Sequence, residues 1–165
     1  MPSTTVIRSI PDAPWLPAGG LAEVVLADIA PRPASVVRLL AVRGETVFCL
    51  PRADSGRLDL PMRVVPDTDS DGRTTALRLA RDLCGTRATV HCVGFVRNSV
   101  SPVEVDYPWP TPEANFTVWA SDEQITREGS WVTAFTEESP LSDRHWFPLL
   151  AALTGQRALQ YTVEA

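Results

Sequence analysis

Proline sets the strongest limit on what this chain can fold into. Each proline fixes its own φ, lacks an N–H and biases the preceding residue away from helix, so regular elements end close to it. The chain carries 15 prolines in 165 residues, and they cut it into short apolar runs. Pro2, Pro11, Pro14 and Pro17, with Gly19 and Gly20, mark residues 1–20 as an irregular arm. The run 21–29 reads as a first strand that Pro31 and Pro33 stop. Ser35 to Val42 and Thr46 to Leu50, joined by the turn Arg43-Gly44-Glu45, read as a hairpin with local antiparallel pairing. After a polar turn from Arg52 to Gly56, Leu58 to Val65 is extended until Pro66 ends it.

The aspartates Asp67, Asp69 and Asp71 alternate before Gly72, and the best helix of the chain follows. Thr74 or Thr75 caps it, Ala76, Leu77, Leu79, Ala80 and Leu83 form its apolar side, and Gly85 stands at its C-terminus. Thr89 to Val96 is β-branched and apolar, as a strand requires, and Ser101 to Glu113 is a loop stiffened by four prolines around Tyr107 and Trp109. Asn115 to Ala120 and Ser130 to Phe135 read as two more strands with Trp119 and Trp131 in the core. A second helix is expected after Asp143, with Pro148 in its first turn and Gly155 at its end; residues 158–163 alternate enough for an edge strand or for contact with a second subunit. This order predicts a single α/β domain with a mixed sheet between two helical layers, divided into an arm and first strand (1–34), the main domain (35–154) and a tail (155–165).

Composition narrows the chemistry. Hydrophobic residues make up 44% and charged residues 21% of the chain, which is enough apolar material to build a core. A net charge of -5 opposes nucleic-acid binding through an overall positive field. All 15 basic residues are Arg, which removes lysine bases, Schiff-base chemistry and the P-loop lysine. Cys49, Cys84 and Cys92 lie in apolar runs without C-x-x-C spacing, so they read as buried reduced thiols. No charged leader with an apolar run follows Met1, and no run reaches the ~18 apolar residues of a membrane span. A cytoplasmic protein with no membrane or nucleic-acid partner is expected, and a homodimer stays open.

One segment resembles the signature of the Nudix pyrophosphohydrolase family. That signature runs Leu-Pro-Gly-Gly, a loop with a Glu, then a helix reading Arg-Glu-x-x-Glu-Glu-x-Gly. The matching stretch is Leu60-Pro61-Met62-Arg63, the aspartate loop, then Arg78-Leu79-Ala80-Arg81-Asp82-Leu83-Cys84-Gly85. The family's closing Trp-bearing strand and short helix are similar to Trp131 to Phe135 and His145 to Leu150, so the resemblance spans about residues 35 to 154. It implies a Nudix-like α/β/α sandwich, a nucleotide-like or diphosphate-containing small-molecule ligand, and Mg or Mn as metal. In the family, glutamates at i, i+3 and i+4 share a helix face and hold the cations. Here those positions carry Leu79, Asp82 and Leu83, and Met62 and Arg63 replace the two glycines. The resemblance thus leaves Asp82, with Asp69 or Asp71 from the loop, as weak metal ligands, and Arg63 beside the ligand. Ordinary metal-dependent pyrophosphohydrolase activity is expected to be weak or lost.

Other readings of the same residues stand beside it. Asp67, Asp69, Asp71 and Gly72 match the first half of an EF-hand loop, but its twelfth position is Arg78 instead of Glu. The alternative is a solvated turn of helix-capping aspartates. His91 next to Cys92 is a poor base for a thiol, since strand neighbours face opposite ways. Asp82 or His91 in a dry pocket would serve a metal-independent tailoring enzyme as the acid. Tyr107 and Trp109 either stack on a planar ligand or fill a satellite core under their loop. His145 reads as a structural or capping residue. The remaining class is a catalytically silent module that binds a small ligand or a protein.

Overall fold

The computed structural model describes residues 3–153. In chain order its strands are β1 (Thr4–Pro11), β2 (Leu21–Ala27), β3 (Ala34–Leu40), β4 (Val42–Arg43) and β5 (Thr46–Pro51). They continue with β6 (Leu58–Asp59), β7 (Met62–Val64), β8 (Val90–Ser99), β9 (Glu113–Ser121) and β10 (Ser130–Thr133), and helix α1 (Arg73–Cys84) lies between β7 and β8. Six strands form one sheet in the order β1-β2-β8-β9-β3-β7; β10, β5 and β4 form a smaller sheet in which β6 also pairs with β5. Only the β3–β9 contact is parallel among the ladders of the larger sheet, so the sheet is mixed.

Eight residues of the expected irregular arm 1–20 form a strand. Thr4, Thr5, Val6 and Ile7 suit an extended backbone, and β1 pairs with β2 from Thr4↔Ala27 to Pro11↔Leu21. Proline is tolerated because β1 is the sheet edge. The expected hairpin is also smaller than its sequence suggested. Of the expected first arm only Val42, with Arg43 of the turn, pairs with β5, while β3 enters the large sheet between β9 and β7. Six of the seven β3 residues are buried, and a two-stranded hairpin could not cover a strand on both faces. The extended run 58–65 is likewise divided, with Leu60 and Pro61 separating β6 from β7.

Helix α1 starts by a different device from the one expected. Neither Thr74 nor Thr75 is its N-cap; Gly72 is, at φ 78°, and an added Cβ there would lie 2.8 Å from Val37 Cγ1. The missing cap is supplied from outside the helix. Asp69 accepts hydrogen bonds from the Thr75 backbone N–H at 2.8 Å and from its hydroxyl at 2.7 Å, and Asp71 accepts one from the Arg73 N–H at 3.0 Å.

Two cores form on opposite faces of the large sheet, as the side-chain alternation of its strands demands. Leu39 and Trp119 pack with Ala76, Leu79, Ala80 and Leu83 of α1. Their strand neighbours Leu40 and Val118 pack with Trp146, Leu149 and Leu150. Residues 148–153 are helical, beginning at Pro148, where its absent N–H is harmless. The expected helix end at Gly155 and edge strand at 158–163 fall outside the described residues. Within them, no helix is long and apolar enough to cross a membrane. The chain is thus an α/β domain built on a mixed sheet.

Candidate functional site

The α1 positions that would carry metal-binding glutamates belong to the core. Leu79 and Leu83 are 5% and 8% exposed and pack against the sheet. Asp82 points the other way and forms an ion pair with Arg63 of β7. The hydrogen bond from Arg63 holds the Asp82 carboxyl below its ordinary range. The loop aspartates are not beside it: at ~1.5 Å per residue, Asp82 sits roughly 10 Å along the helix from Thr75, which Asp69 caps. Among the described residues no three His, Cys, Asp or Glu side chains come together as a group able to hold a metal. Asp82, Asp69 and Asp71 therefore do not fit Mg or Mn, which need several converging anionic oxygens. Nor do they fit calcium, since Asp69 and Asp71 are turned to the helix N-terminus.

Tyr107 and Trp109 lie on the loop between β8 and β9. Trp109 packs edge-on against Phe116 of β9, with ring centroids 5.2 Å apart at 84°. Tyr107 is half-buried, and burial pushes its hydroxyl above the usual range. Both residues cover the sheet under their loop.

The concave site lies elsewhere, at the ends of the parallel pair β3 and β9. A cavity of about 600 Å³ opens there. Leu40 and Ala41 line it from the end of β3, Ala120 and Ser121 from the end of β9, and His91 from the start of β8. A β-bulge between Cys92 and Gly94 shapes this wall. His91 pairs in register with Ala120 and reaches the cavity, whereas Cys92 turns into the α1 core. Burial pushes the Cys92 thiol up to about 11 and the Cys49 thiol up to about 12, so neither is a thiolate at neutral pH. The three cysteines are free and buried.

The opposite wall comes from the small sheet. Trp131 of β10 is half-buried, and the Arg43 guanidinium of β4 lies 3.9 Å from its ring centroid. Phe135 closes the wall at φ 62°, a left-handed conformation that costs a bulky residue about 1–3 kcal/mol. Asp122, Glu123 and Gln124, on the loop after β9, supply the polar rim. The Thr89 backbone N–H donates to Asp122 at 2.8 Å and holds its carboxyl below the ordinary range, so it is ionised at neutral pH. A cavity lined by an aromatic ring with a cation stacked on it, and by hydrogen-bond acceptors, can take a planar polar molecule.

Of the residues singled out in the sequence, His91 alone lines this cavity, and Arg63 and Asp82 are brought together only with each other. Arg43, Asp122, Glu123, Gln124 and Phe135 were not singled out, and Trp131 was read as core. Only the Trp-bearing strand carried a signal. Compared with models of known protein families, with curated proteins and with solved structures, the chain has no match in any of the three.

Proposed function

We propose that the chain is a divergent Nudix-like α/β/α protein that binds a nucleotide-like small molecule in this cavity, with ordinary metal-dependent pyrophosphohydrolase activity weak or lost. The observation that carries the reading is that the Arg43–Trp131 stack and the polar residues Asp122, Glu123 and Gln124 line one cavity of about 600 Å³. Trp131 offers a π face to a base, Arg43 offers charge to a phosphate, and the rim accepts hydrogen bonds from amino and hydroxyl groups. The strained Phe135 supports the same place, because strain is retained where a site needs it. The leucines on α1 support the loss of metal chemistry: they bury the face that would hold cations.

The test is a fluorescence or calorimetric titration with nucleoside monophosphates and nucleoside diphosphate conjugates, with and without chelator. Saturable binding that ignores chelator is expected. Trp131→Ala and Arg43→Ala should each weaken it about tenfold, which corresponds to ~1.4 kcal/mol. Unchanged affinity in both variants, or no saturable binding, would overturn the assignment. Turnover of a diphosphate conjugate that requires Mg or Mn and vanishes in Asp82→Asn would overturn the loss of metal chemistry.

A further inference from the structure

A second polar cluster lies on the Trp146 side of the sheet, and one of its guanidinium groups is left without a paired carboxylate. Asp59 of β6 is 1% exposed. Its Oδ1 accepts from the Leu60 backbone N–H and from Trp146 Nε1, each at 2.8 Å. Arg52 Nη1 lies 3.6 Å and Arg144 Nε 3.9 Å from its Oδ2. Each of these arginines has further partners. Arg52 forms a two-point pair with Asp54, while Arg144 pairs with Asp143 and donates to the Leu58 carbonyl at 2.7 Å.

Arg38 of β3 has none of this. It shares a sheet face with Leu40, its Nε is sealed from solvent without a hydrogen-bond partner, and its guanidinium forms no ion pair or hydrogen bond among the described residues. The carboxylate whose charge it feels is Asp59, which Arg52 and Arg144 already flank. Burial and the Arg52 charge both oppose the charged form of Arg38, and burial with Arg38 and Arg52 does the same to His145. At the rim, Trp15 and His145 stack with centroids 3.8 Å apart. An arginine cannot shed its proton inside a protein, so a half-buried guanidinium without a partner calls for an anion.

We propose that Arg38, beside the Asp59–Arg52–Arg144 cluster, is a binding site for a small oxyanion, a phosphate or carboxylate group. The planar fork of a guanidinium with unpaired N–H groups matches two oxygens of such a group, and the Arg52 and Arg144 guanidiniums beside Asp59 offset that carboxylate's repulsion of an arriving anion. None of these four residues lines the cavity of Arg43 and Trp131, so this site stands apart from the proposed ligand site.

The protein is first exchanged into a low-salt buffer free of oxyanions, and its thermal midpoint is followed on adding inorganic phosphate or acetate. Chloride at matched ionic strength controls for screening. Phosphate, acetate or both should raise the wild-type midpoint by roughly 5 °C at saturation. A response to phosphate alone assigns a phosphate group, and a response to acetate assigns a carboxylate. Arg38→Met should remove at least about nine-tenths of the shift. Where that variant does not fold, Arg38→Lys, which keeps the charge and loses the fork, should at least halve it. No shift beyond the chloride control, or an undiminished shift in the folded variant, overturns the proposal.

Discussion

His145 shows how a single residue here is defined by neighbours far along the chain. One face of its ring is stacked on Trp15 while its outer edge stays open to solvent. Desolvation of the covered face and then the charge of Arg38 hold it below the ordinary histidine value; Asp59 opposes them, Arg52 adds a smaller lowering and Asp143 a smaller opposition. An unfolded chain takes up a proton at this residue as pH falls through about 6.5, whereas the folded one resists. The unfolded state then binds more protons, so stability falls as pH drops through that window and is regained above it. Thermal midpoints measured from about pH 7.5 to about pH 5.5 should decline in the wild type and decline less in His145→Gln. An identical pH dependence in the two proteins would contradict the assignment. Nothing in the segment His145-Trp146-Phe147 announces this environment, because Trp15, Arg38 and Arg52 reach it from other parts of the fold.

At the scale of an element, α1 was the most legible part of the sequence. Its apolar positions Ala76, Leu79, Ala80 and Leu83 repeat at helical spacing, and all four are buried. Its start was legible in part: Thr74 and Thr75 read as caps and are not, but the loop aspartates also read as helix-capping, and Asp69, three residues before the N-cap Gly72, does cap the helix. The same burial decides what introducing glutamates on this face would do. Leu79→Glu or Leu83→Glu places a carboxylate in the packed core and should cost at least ~2 kcal/mol, seen as a lowered urea midpoint, without added magnesium affinity. A stable variant with new magnesium binding would show that this face of α1 can open. Strand β1 was hidden for a different reason: Pro11, Pro14 and Pro17 together read as a loop, although Pro11 is the last residue of the strand.

For the whole molecule, the contact between sheet and C-terminal helix governs both stability and the proposed site. Gly94 of β8 lies directly beneath Leu149, and a Cβ on it would stand 2.5 Å from the Val25 carbonyl oxygen and 2.6 Å from Leu149 Cδ2. A backbone carbonyl cannot withdraw as a flexible side chain can. Gly94→Ala should therefore cost about 1–3 kcal/mol in chemical unfolding and weaken ligand binding, because Leu153 of the same helical segment lines the cavity. A wild-type midpoint in that variant would show that the helix moves freely over the sheet.

By itself, the sequence determined the α/β class, most strand positions and the principal helix with its leucine-bearing buried face, since periodicity, prolines and residue identity are local properties. Tertiary structure alone decided that β3 leaves its hairpin to run parallel with β9, that Arg43 meets Trp131, and that the half-buried Arg38 has its Nε sealed without a partner. The reason is physical. Local pattern sets how a segment extends or coils, but which segments share a cavity or a charge depends on the sheet order, and that order is settled by burying both faces of β3 at once.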